Sequence, residues 1–253
     1  EKWLKSKVFP VSNIQKAIWI TDSWAGNYFH WVLECLPRLF ALQAFGIKAP
    51  LLIPDIIYRA SFVKESLKEL HIEVITYNFR QTVKVASLYV ASHDTPCAFD
   101  PPSLFYLIEI YRQLDHPAKQ LAFSKIYISR KEAKKRRVEN ESELILILEK
   151  YGFEIFQIEK LSFREQRELM SQTKVLMSIH GAGLANMVFL PNDSKVIELH
   201  PDVSRYNSCF YHLAAALKID YFYSFESASN ENPQQANVNV DLVRLEYLLS
   251  SLK

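Results

Sequence analysis

The sequence of 253 residues lacks several features that would assign it to a specialised class of protein. Its three cysteines, Cys35, Cys97 and Cys209, lie far apart and form no CxxC pair. We therefore expect no disulfide scaffold and no structural zinc site, and the set fits a reducing compartment. No apolar run reaches the ~18 residues that a membrane-spanning helix needs. The net charge of +2 gives no reason to expect nucleic-acid binding.

The sequence motifs of several enzyme classes are missing as well. There is no Asp-x-Asp, the spacing that holds a divalent metal on a nucleotide sugar, and no HExxH, Gly-x-Ser-x-Gly or Walker lysine loop. We therefore predict a site with no bound metal and no resident cofactor. The composition is otherwise that of an ordinary globular protein, 49% hydrophobic and 23% charged, and the chain is long enough to bury a substantial core.

Short apolar runs alternate with helical patterns along the chain, which is typical of an α/β fold with parallel sheets. The alternation is clearest in the second half, where we predict strands over 125–129, 153–158, 174–179, 195–199 and 219–224. The first half follows the same pattern less regularly. The sequence therefore predicts two α/β lobes, residues 1–118 and 119–253, with the linker near 115–124 and a central cleft between the sheets.

The most informative stretch runs from Lys174 to Pro201 and reads as strand, glycine turn, helix, turn and strand. The turn carries Gly181 and Gly183, which let the backbone approach a ligand closely before a helix begins. The N–H groups and the dipole of a helix start favour an anionic group such as phosphate. Glu198, at the end of the next strand, could accept hydrogen bonds from ribose hydroxyls.

This pattern supports a nucleotide diphosphate better than it supports NAD. A dinucleotide fingerprint has a third glycine, and Asn186 stands where that glycine would be. A second interpretation stays open, in which the glycines only permit tight packing within a βαβ unit.

A predicted helix over residues 26–45 holds the second candidate group of polar residues. One broad face is apolar, and the remaining narrow window carries His30, Glu34 and Arg38, spaced four residues apart. An imidazole accepts a proton near neutral pH, and a carboxylate one turn later could orient it. The alternative is an intrahelical His–Glu pair with Arg38 as a structural bridge. Pro37 should kink this helix, which leaves the position of Arg38 open.

Arg130 follows a predicted strand, and the basic segment KEAKKRR comes directly after it. A guanidinium at the carboxyl end of a strand is suited to bidentate contact with a phosphate. The other basic residues of this segment have the character of a solvated loop, or of a contact with an anionic membrane or polyanionic acceptor.

Three strings in this order resemble glycosyltransferase family 61: NYFHWVLECLPRL (27–39), KIYISRKEAKKRRVEN (125–140) and SIHGAGLANMVFLPNDSKVIEL (178–199). The resemblance implies a GT-B architecture of two Rossmann-like lobes and inverting, metal-independent sugar transfer. It also implies that His30 and Glu34 face the acceptor, although the family often has Asp at the second position. The donor positions that it implies are Arg130, His180, Gly181, Ala182, Gly183, Leu184, Asn186 and Glu198.

The predicted function is therefore transfer of a sugar from a nucleotide-diphosphate donor to a glycan, lipid-linked glycan or other hydroxyl acceptor in polysaccharide biosynthesis. His30 would act as the base, and the expected location is the cytoplasm, including the inner face of the membrane. A nucleotide-sugar epimerase, a non-catalytic nucleotide- or glycan-binding module and, more distantly, a nicotinamide oxidoreductase remain as alternatives. The oligomeric state does not follow from the sequence.

Overall fold

The computed structural model describes residues 11–92, 97–114, 123–204, 207–232 and 234–252. They divide into two compact units, one within residues 1–96 and 102–114, the other within residues 97–101 and 115–253. The predicted boundary between residues 118 and 119 lies outside the described residues. Among the described helices, none combines the length and the apolar character needed to cross a bilayer.

The first unit is built on a four-stranded sheet of order β3-β2-β1-β4 in which every pairing is parallel. Its strands are β1 (Val11–Trp19), β2 (Leu51–Pro54), β3 (Val74–Tyr77) and β4 (Thr82–Val90). Its helices are α1 (Tyr28–His30), α2 (Leu36–Ala44), α3 (Asp55–Tyr58), α4 (Ser61–Glu69) and α5 (Pro101–Leu114). The predicted alternation of parallel strands and helices is thereby confirmed for this half of the chain.

A π-helical turn, Trp31–Cys35, joins α1 to α2, where the sequence predicts one regular helix. Its wider hydrogen bond runs from the N–H of Leu36 to the carbonyl of Trp31. Pro37 has no N–H to continue an α-helical ladder, which accounts for a break in the regular pattern at this point. The fully buried indole of Trp31 fixes the turn against α4 through a 2.9 Å hydrogen bond from Nε1 to the Ser66 hydroxyl.

The second unit is built on a six-stranded sheet of order β10-β9-β8-β7-β5-β6, parallel except for the short β10 at one edge. Its strands are β5 (Lys125–Ile128), β6 (Phe153–Phe156), β7 (Val175–Ile179), β8 (Lys195–Asp202), β9 (Asp220–Ala228) and β10 (Val238–Asn239). Its helices are α6 (Glu141–Lys150), α7 (Phe163–Met170), α8 (Cys209–Leu217) and α9 (Leu242–Ser251), with 3-10 segments at Ile158–Lys160 and Ala182–Phe189. The five parallel strands lie where the sequence predicts them, and the antiparallel edge is an addition.

A core of apolar side chains lies between this sheet and the helices α6 and α9. Tyr127, Met177 and Ile197 come from three neighbouring strands, and Leu144 and Leu245 come from the two helices. Burial of apolar surface stabilises the fold by roughly 25 cal/mol per Å². This core therefore fixes the strands, and with them the residues that follow the carboxyl end of each strand.

Helix capping in the second unit follows the sequence in one case and departs from it in another. Ser162 and Glu165 form the capping box that their spacing indicates, at the start of α7. Asn140 precedes α6 but makes no capping hydrogen bond. Its side-chain amide instead exchanges two hydrogen bonds of 2.9 Å with the backbone of Val240. Asn140 therefore does not cap α6, because its side chain pairs with a segment a hundred positions later.

The structure contains one disulfide, although the sequence predicts no disulfide scaffold. Cys97 and Cys209 are joined by a disulfide across 112 positions of sequence, and only Cys35 is a free, buried thiol. Disulfides form and persist mainly in oxidising compartments, so the cysteine content no longer supports a reducing one. Burial raises the pKa of the Cys35 thiol to about 12, with Arg38 partly offsetting the effect, which makes that thiol unreactive.

Candidate functional site

The second unit gathers several predicted donor residues at the carboxyl end of its sheet. Arg130 lies just past β5 and His180 just past β7, and these two strands are hydrogen-bonded neighbours. A methyl group placed on Gly181 would lie 3.1 Å from Nη1 and 3.5 Å from Cζ of Arg130. The backbone at Gly181 is extended, with φ at 174°, so the glycine makes room for the guanidinium and not for a strained turn.

Arg130 is held in place by its own loop and not by an acidic partner. Its Nε donates to the carbonyl of Arg136 at 3.1 Å, and a second nitrogen faces the carbonyl of Lys135 at 3.4 Å. Burial lowers the pKa of Arg130, while the charge of Glu159 acts in the opposite direction. Because an arginine stays protonated in proteins, the group is a partly desolvated cation at a strand end.

A second arginine, Arg136, lies beside Arg130. Its Nη1 reaches 3.5 Å from the carbonyl oxygen of His180, and its Nε is buried with no hydrogen-bond partner. Burial and the charge of Arg130 both lower the pKa of Arg136. Its backbone is left-handed, with φ at 56°, a conformation that non-glycine residues rarely adopt. Two neighbouring cations and a buried unpaired donor make a local environment that an anion would stabilise.

The loop that carries both arginines is fixed along its length to a segment near the C-terminus. The backbone bonds run from Arg136 to Gln235 at 3.4 Å, from Val238 to Arg137 at 2.9 Å and from Glu139 to Val238 at 2.8 Å. The Asn140 amide continues this pairing at Val240. The arginine positions are therefore set by residues about a hundred positions further along the chain.

A 3-10 helix, Ala182–Phe189, begins directly after Gly181, where the sequence predicts a helix after the glycine turn. The first N–H groups of a helix have no acceptor inside it, which suits them to an anion, although the N–H of Leu184 already donates to the Gly181 carbonyl. Leu184 and Asn186 are fully buried. The Asn186 amide donates to the Gly183 carbonyl at 3.1 Å and to the Gln166 side chain at 3.2 Å. These two bonds stabilise the glycine turn.

Behind the arginines lies a buried chain of hydrogen bonds that is centred on Glu198. The Glu198 carboxylate is fully buried and accepts from Nδ1 of His180 on one oxygen and from the Tyr221 hydroxyl on the other. Burial and the Glu198 charge hold the pKa of Tyr221 far above its ordinary value, so the phenol remains a donor. Both carboxylate oxygens thus have partners within the protein, and the predicted contact between Glu198 and a ribose stays a prediction that would require one of them to move.

The same residues include a set of possible metal ligands. Ligand atoms of His180, Glu198 and His200 lie within 4.8 Å of one another, and two imidazoles with a carboxylate suit zinc and related ions. The two ring nitrogens of His200 face the carbonyl oxygens of Pro201 at 3.1 Å and Asn207 at 3.3 Å. A cation would therefore have to replace hydrogen bonds that the protein already makes, and we assign no metal here.

The first unit holds a separate pair of polar residues, His30 and Glu34. Nδ1 of His30 lies 2.8 Å from Oε2 of Glu34, across the π-helical turn. A carboxylate only accepts, so Nδ1 carries the hydrogen and Nε2 of the neutral ring has the lone pair that a general base needs. The His30 side chain is 25% exposed and that of Glu34 is 11% exposed, so the imidazole is the more accessible partner of the pair.

Arg38 forms a structural bridge at this turn, as the alternative interpretation expects. Its Nε donates to the main-chain carbonyl of Glu34 at 2.9 Å, and one terminal nitrogen reaches Asp22 at 3.3 Å. Arg38 thereby supports the backbone of the turn, while the Glu34 carboxylate remains with His30.

Sequence reasoning missed two residues of the second unit. Arg136 lies in the basic segment KEAKKRR that follows Arg130. Nothing in the sequence of that segment distinguishes Arg136 from the other cations. Tyr221 comes 23 positions after Glu198 in an aromatic strand that reads as ordinary core. The register of β8 and β9, which pairs Val196 with Tyr221, is what brings the phenol to the carboxylate.

Comparison with known proteins identifies the family of the chain. The sequence profile described as Glycosyltransferase 61 matches residues 28–197, about two thirds of the chain. The chain therefore belongs to the glycosyltransferase 61 family, and the resemblance noted in the sequence is confirmed. It is also 36% identical over 91 residues to the EGF domain-specific O-linked N-acetylglucosamine transferase of Drosophila melanogaster. That alignment spans 35% of this chain and 17% of the fruit-fly protein.

Proposed function

We propose that this chain is a glycosyltransferase that takes a sugar from a nucleotide-diphosphate donor and places it on a hydroxyl acceptor. The observation that carries the proposal is the pair Arg130 and Arg136 beside Gly181, with a helix start next to it. Two partly buried guanidiniums can neutralise a diphosphate through bidentate contacts without a metal ion. Family membership supports the same chemistry, and each unit by itself has the parallel sheet that GT-B, the proposed fold class, requires.

In the proposed reaction the acceptor oxygen attacks the anomeric carbon as the bond from that carbon to the diphosphate oxygen breaks. The electron pair of this bond leaves with the nucleoside diphosphate, whose charge the two arginines stabilise. The acceptor proton passes to Nε2 of His30, and Glu34 stabilises the resulting imidazolium through Nδ1. Attack from the face opposite to the leaving group inverts the configuration of the sugar.

Two classes of acceptor are proposed for testing. The first is a glycan hydroxyl, in polysaccharide assembly, with or without a lipid carrier at a membrane surface. The second is the hydroxyl of an EGF domain, because the fruit-fly relative is named for that substrate and for N-acetylglucosamine. The aligned part of that relative is too short to choose between them.

The experiment that tests the function is binding and turnover with defined nucleotides. Thermal stabilisation by UDP, GDP, CDP, CMP and NAD, each with and without EDTA, identifies the nucleotide; a ligand at 100 times its Kd adds ~2.7 kcal/mol. We expect one nucleoside diphosphate to stabilise the chain whether or not EDTA is present. Arg136→Ala should weaken that binding at least tenfold, while Lys134→Ala, on the exposed side of the same loop, should leave it unchanged. A response to NAD alone, or to none of these ligands, would contradict the proposal.

A further inference from the structure

A cavity in the second unit lies beside the Glu198 hydrogen-bond chain and has no role in the mechanism above. Its volume is about 460 Å³, within the range of small-molecule sites. The residues that line it are His200, Asn207, Ser208, Tyr211, His212, Tyr221, Tyr223 and Phe225. It lies between the start of α8 and one face of β9, on which residues two apart point the same way.

The lining is aromatic and polar, and among the described residues it contains no Asp, Glu, Lys or Arg. Tyr211 and Tyr223 are 53% and 57% exposed, so both rings are accessible to a ligand. Phenol, imidazole, amide and hydroxyl groups at the edges of these rings can donate to and accept from a ligand. This chemistry suits a neutral ligand that has both an apolar face and several hydroxyl groups.

The orientation of the rings favours a sugar over a flat aromatic ligand. Tyr211 meets Tyr221 at 71° and Tyr223 meets Phe225 at 73°, while Tyr221 and Tyr223 are inclined at 33°. A planar base binds best between two parallel faces, and none of these three ring pairs is parallel. A puckered sugar ring can place its C–H face on one phenol while its hydroxyl groups meet the edges of the next.

The cavity is connected to the candidate diphosphate site through His180. The His200 ring, which lines the cavity, has its centroid 4.9 Å from that of the His180 ring at an angle of 50°, and the His180 carbonyl faces Arg136. The Tyr221 hydroxyl, which also lines the cavity, bonds to Glu198 and through it to His180. His200 and His180 therefore lie between a sugar in the cavity and the proposed phosphate-binding Arg136.

From these observations we infer that the cavity binds a neutral saccharide ring, an inference that rests on the proposed transferase function. The sugar has two possible sources, the donor and the acceptor, and both offer the same chemistry to the cavity. The residues expected to carry the binding are Tyr211 and Tyr223, through their faces, and Asn207, through its amide.

The test uses Tyr223→Ala and Tyr211→Ala, with Tyr247→Ala as the matched control, because Tyr247 is 78% exposed on α9 and lies outside the cavity. Saturation-transfer NMR with free N-acetylglucosamine should show contact with wild type and with the control, and lose it in both cavity variants. Calorimetry then compares the nucleoside diphosphate that stabilises wild type with the same nucleotide carrying its sugar. Loss of one stacking face should cost about three- to tenfold in affinity for the ligand that uses the cavity.

The pattern of losses identifies the source of the sugar. If the donor sugar binds here, the cavity variants weaken only the sugar nucleotide and not the free diphosphate. If the acceptor sugar binds here, both nucleotide affinities hold and the acceptor KM rises. A weaker free diphosphate would show that the cavity holds the nucleobase and would overturn the inference, as would unchanged values throughout. Failure of the transferase proposal itself is distinct, because wild type would then bind no nucleotide.

Discussion

Gly181→Ala offers a sharp test of how the arginine pair is positioned. The new methyl group would lie 3.1 Å from Nη1 of Arg130, closer than side-chain carbons normally approach, so the guanidinium must shift by a few tenths of an ångström. A charge-assisted hydrogen bond contributes about 1.5–3 kcal/mol. Losing roughly half of one such bond to phosphate would cost about 1 kcal/mol, which corresponds to about fivefold weaker binding.

The structure also supplies the control for this substitution. A methyl group on Gly183 would lie 3.5 Å from the nearest carbons of Ile128 and 3.7 Å from Ile158, which are ordinary contacts. Calorimetric titration with the stabilising nucleoside diphosphate should therefore find Gly183→Ala within about twofold of wild type. The extended backbone at Gly181 accepts any residue, and Gly183 has room for a methyl group. Both variants should therefore keep the wild-type Tm.

One result would refute this reasoning. If Gly181→Ala binds the nucleotide as tightly as wild type, while Arg130→Ala loses the binding, then the glycine does not set the position of the guanidinium. If Arg130→Ala also binds normally, the arginine pair is not the diphosphate site.

Three further predictions concern the base, the disulfide and the C-terminal contact. His30→Ala should lower turnover by ~10²–10⁴-fold with nucleotide affinity unchanged, and turnover near wild type would remove His30 as the base. Cys97→Ser combined with Cys209→Ser should destabilise the chain by about 2–4 kcal/mol in urea unfolding, and a reductant should reproduce the loss in wild type only. Asn140→Ala removes two hydrogen bonds and should cost about 2 kcal/mol, against a near-neutral Asn192→Ala at an exposed position; equal stability of the two would contradict the role assigned to Asn140.

Local patterns were enough to predict the strands and the His30–Glu34 pair. The spacing of four residues along a helix brings two side chains together wherever the helix goes, and the 2.8 Å contact confirms it. Ser162 and Glu165 form their capping box for the same reason, because both partners lie within one turn.

Features that depend on distant partners could not be predicted in this way. The Cys97–Cys209 disulfide and the Asn140–Val240 pairing each join positions about a hundred residues apart, and no local pattern encodes such a choice. Tyr221 reaches Glu198 only through the register of two strands. The short antiparallel strand β10 was not predicted because two residues are too few to show the alternation of apolar and polar side chains that marks a strand.

The pairing of residues 136–140 with residues 235–240 has a consequence for the choice of fragments to express. The family match ends at residue 197, and a fragment ending there would still encode Arg130, Arg136 and the glycine turn. It would lack β9, β10 and the whole segment to which the arginine loop is bonded, together with Tyr221. The arginines and the glycine turn would thus be present without Glu198 and without the segment that supports the arginine loop, and such a fragment should bind nucleotide weakly even if it folds.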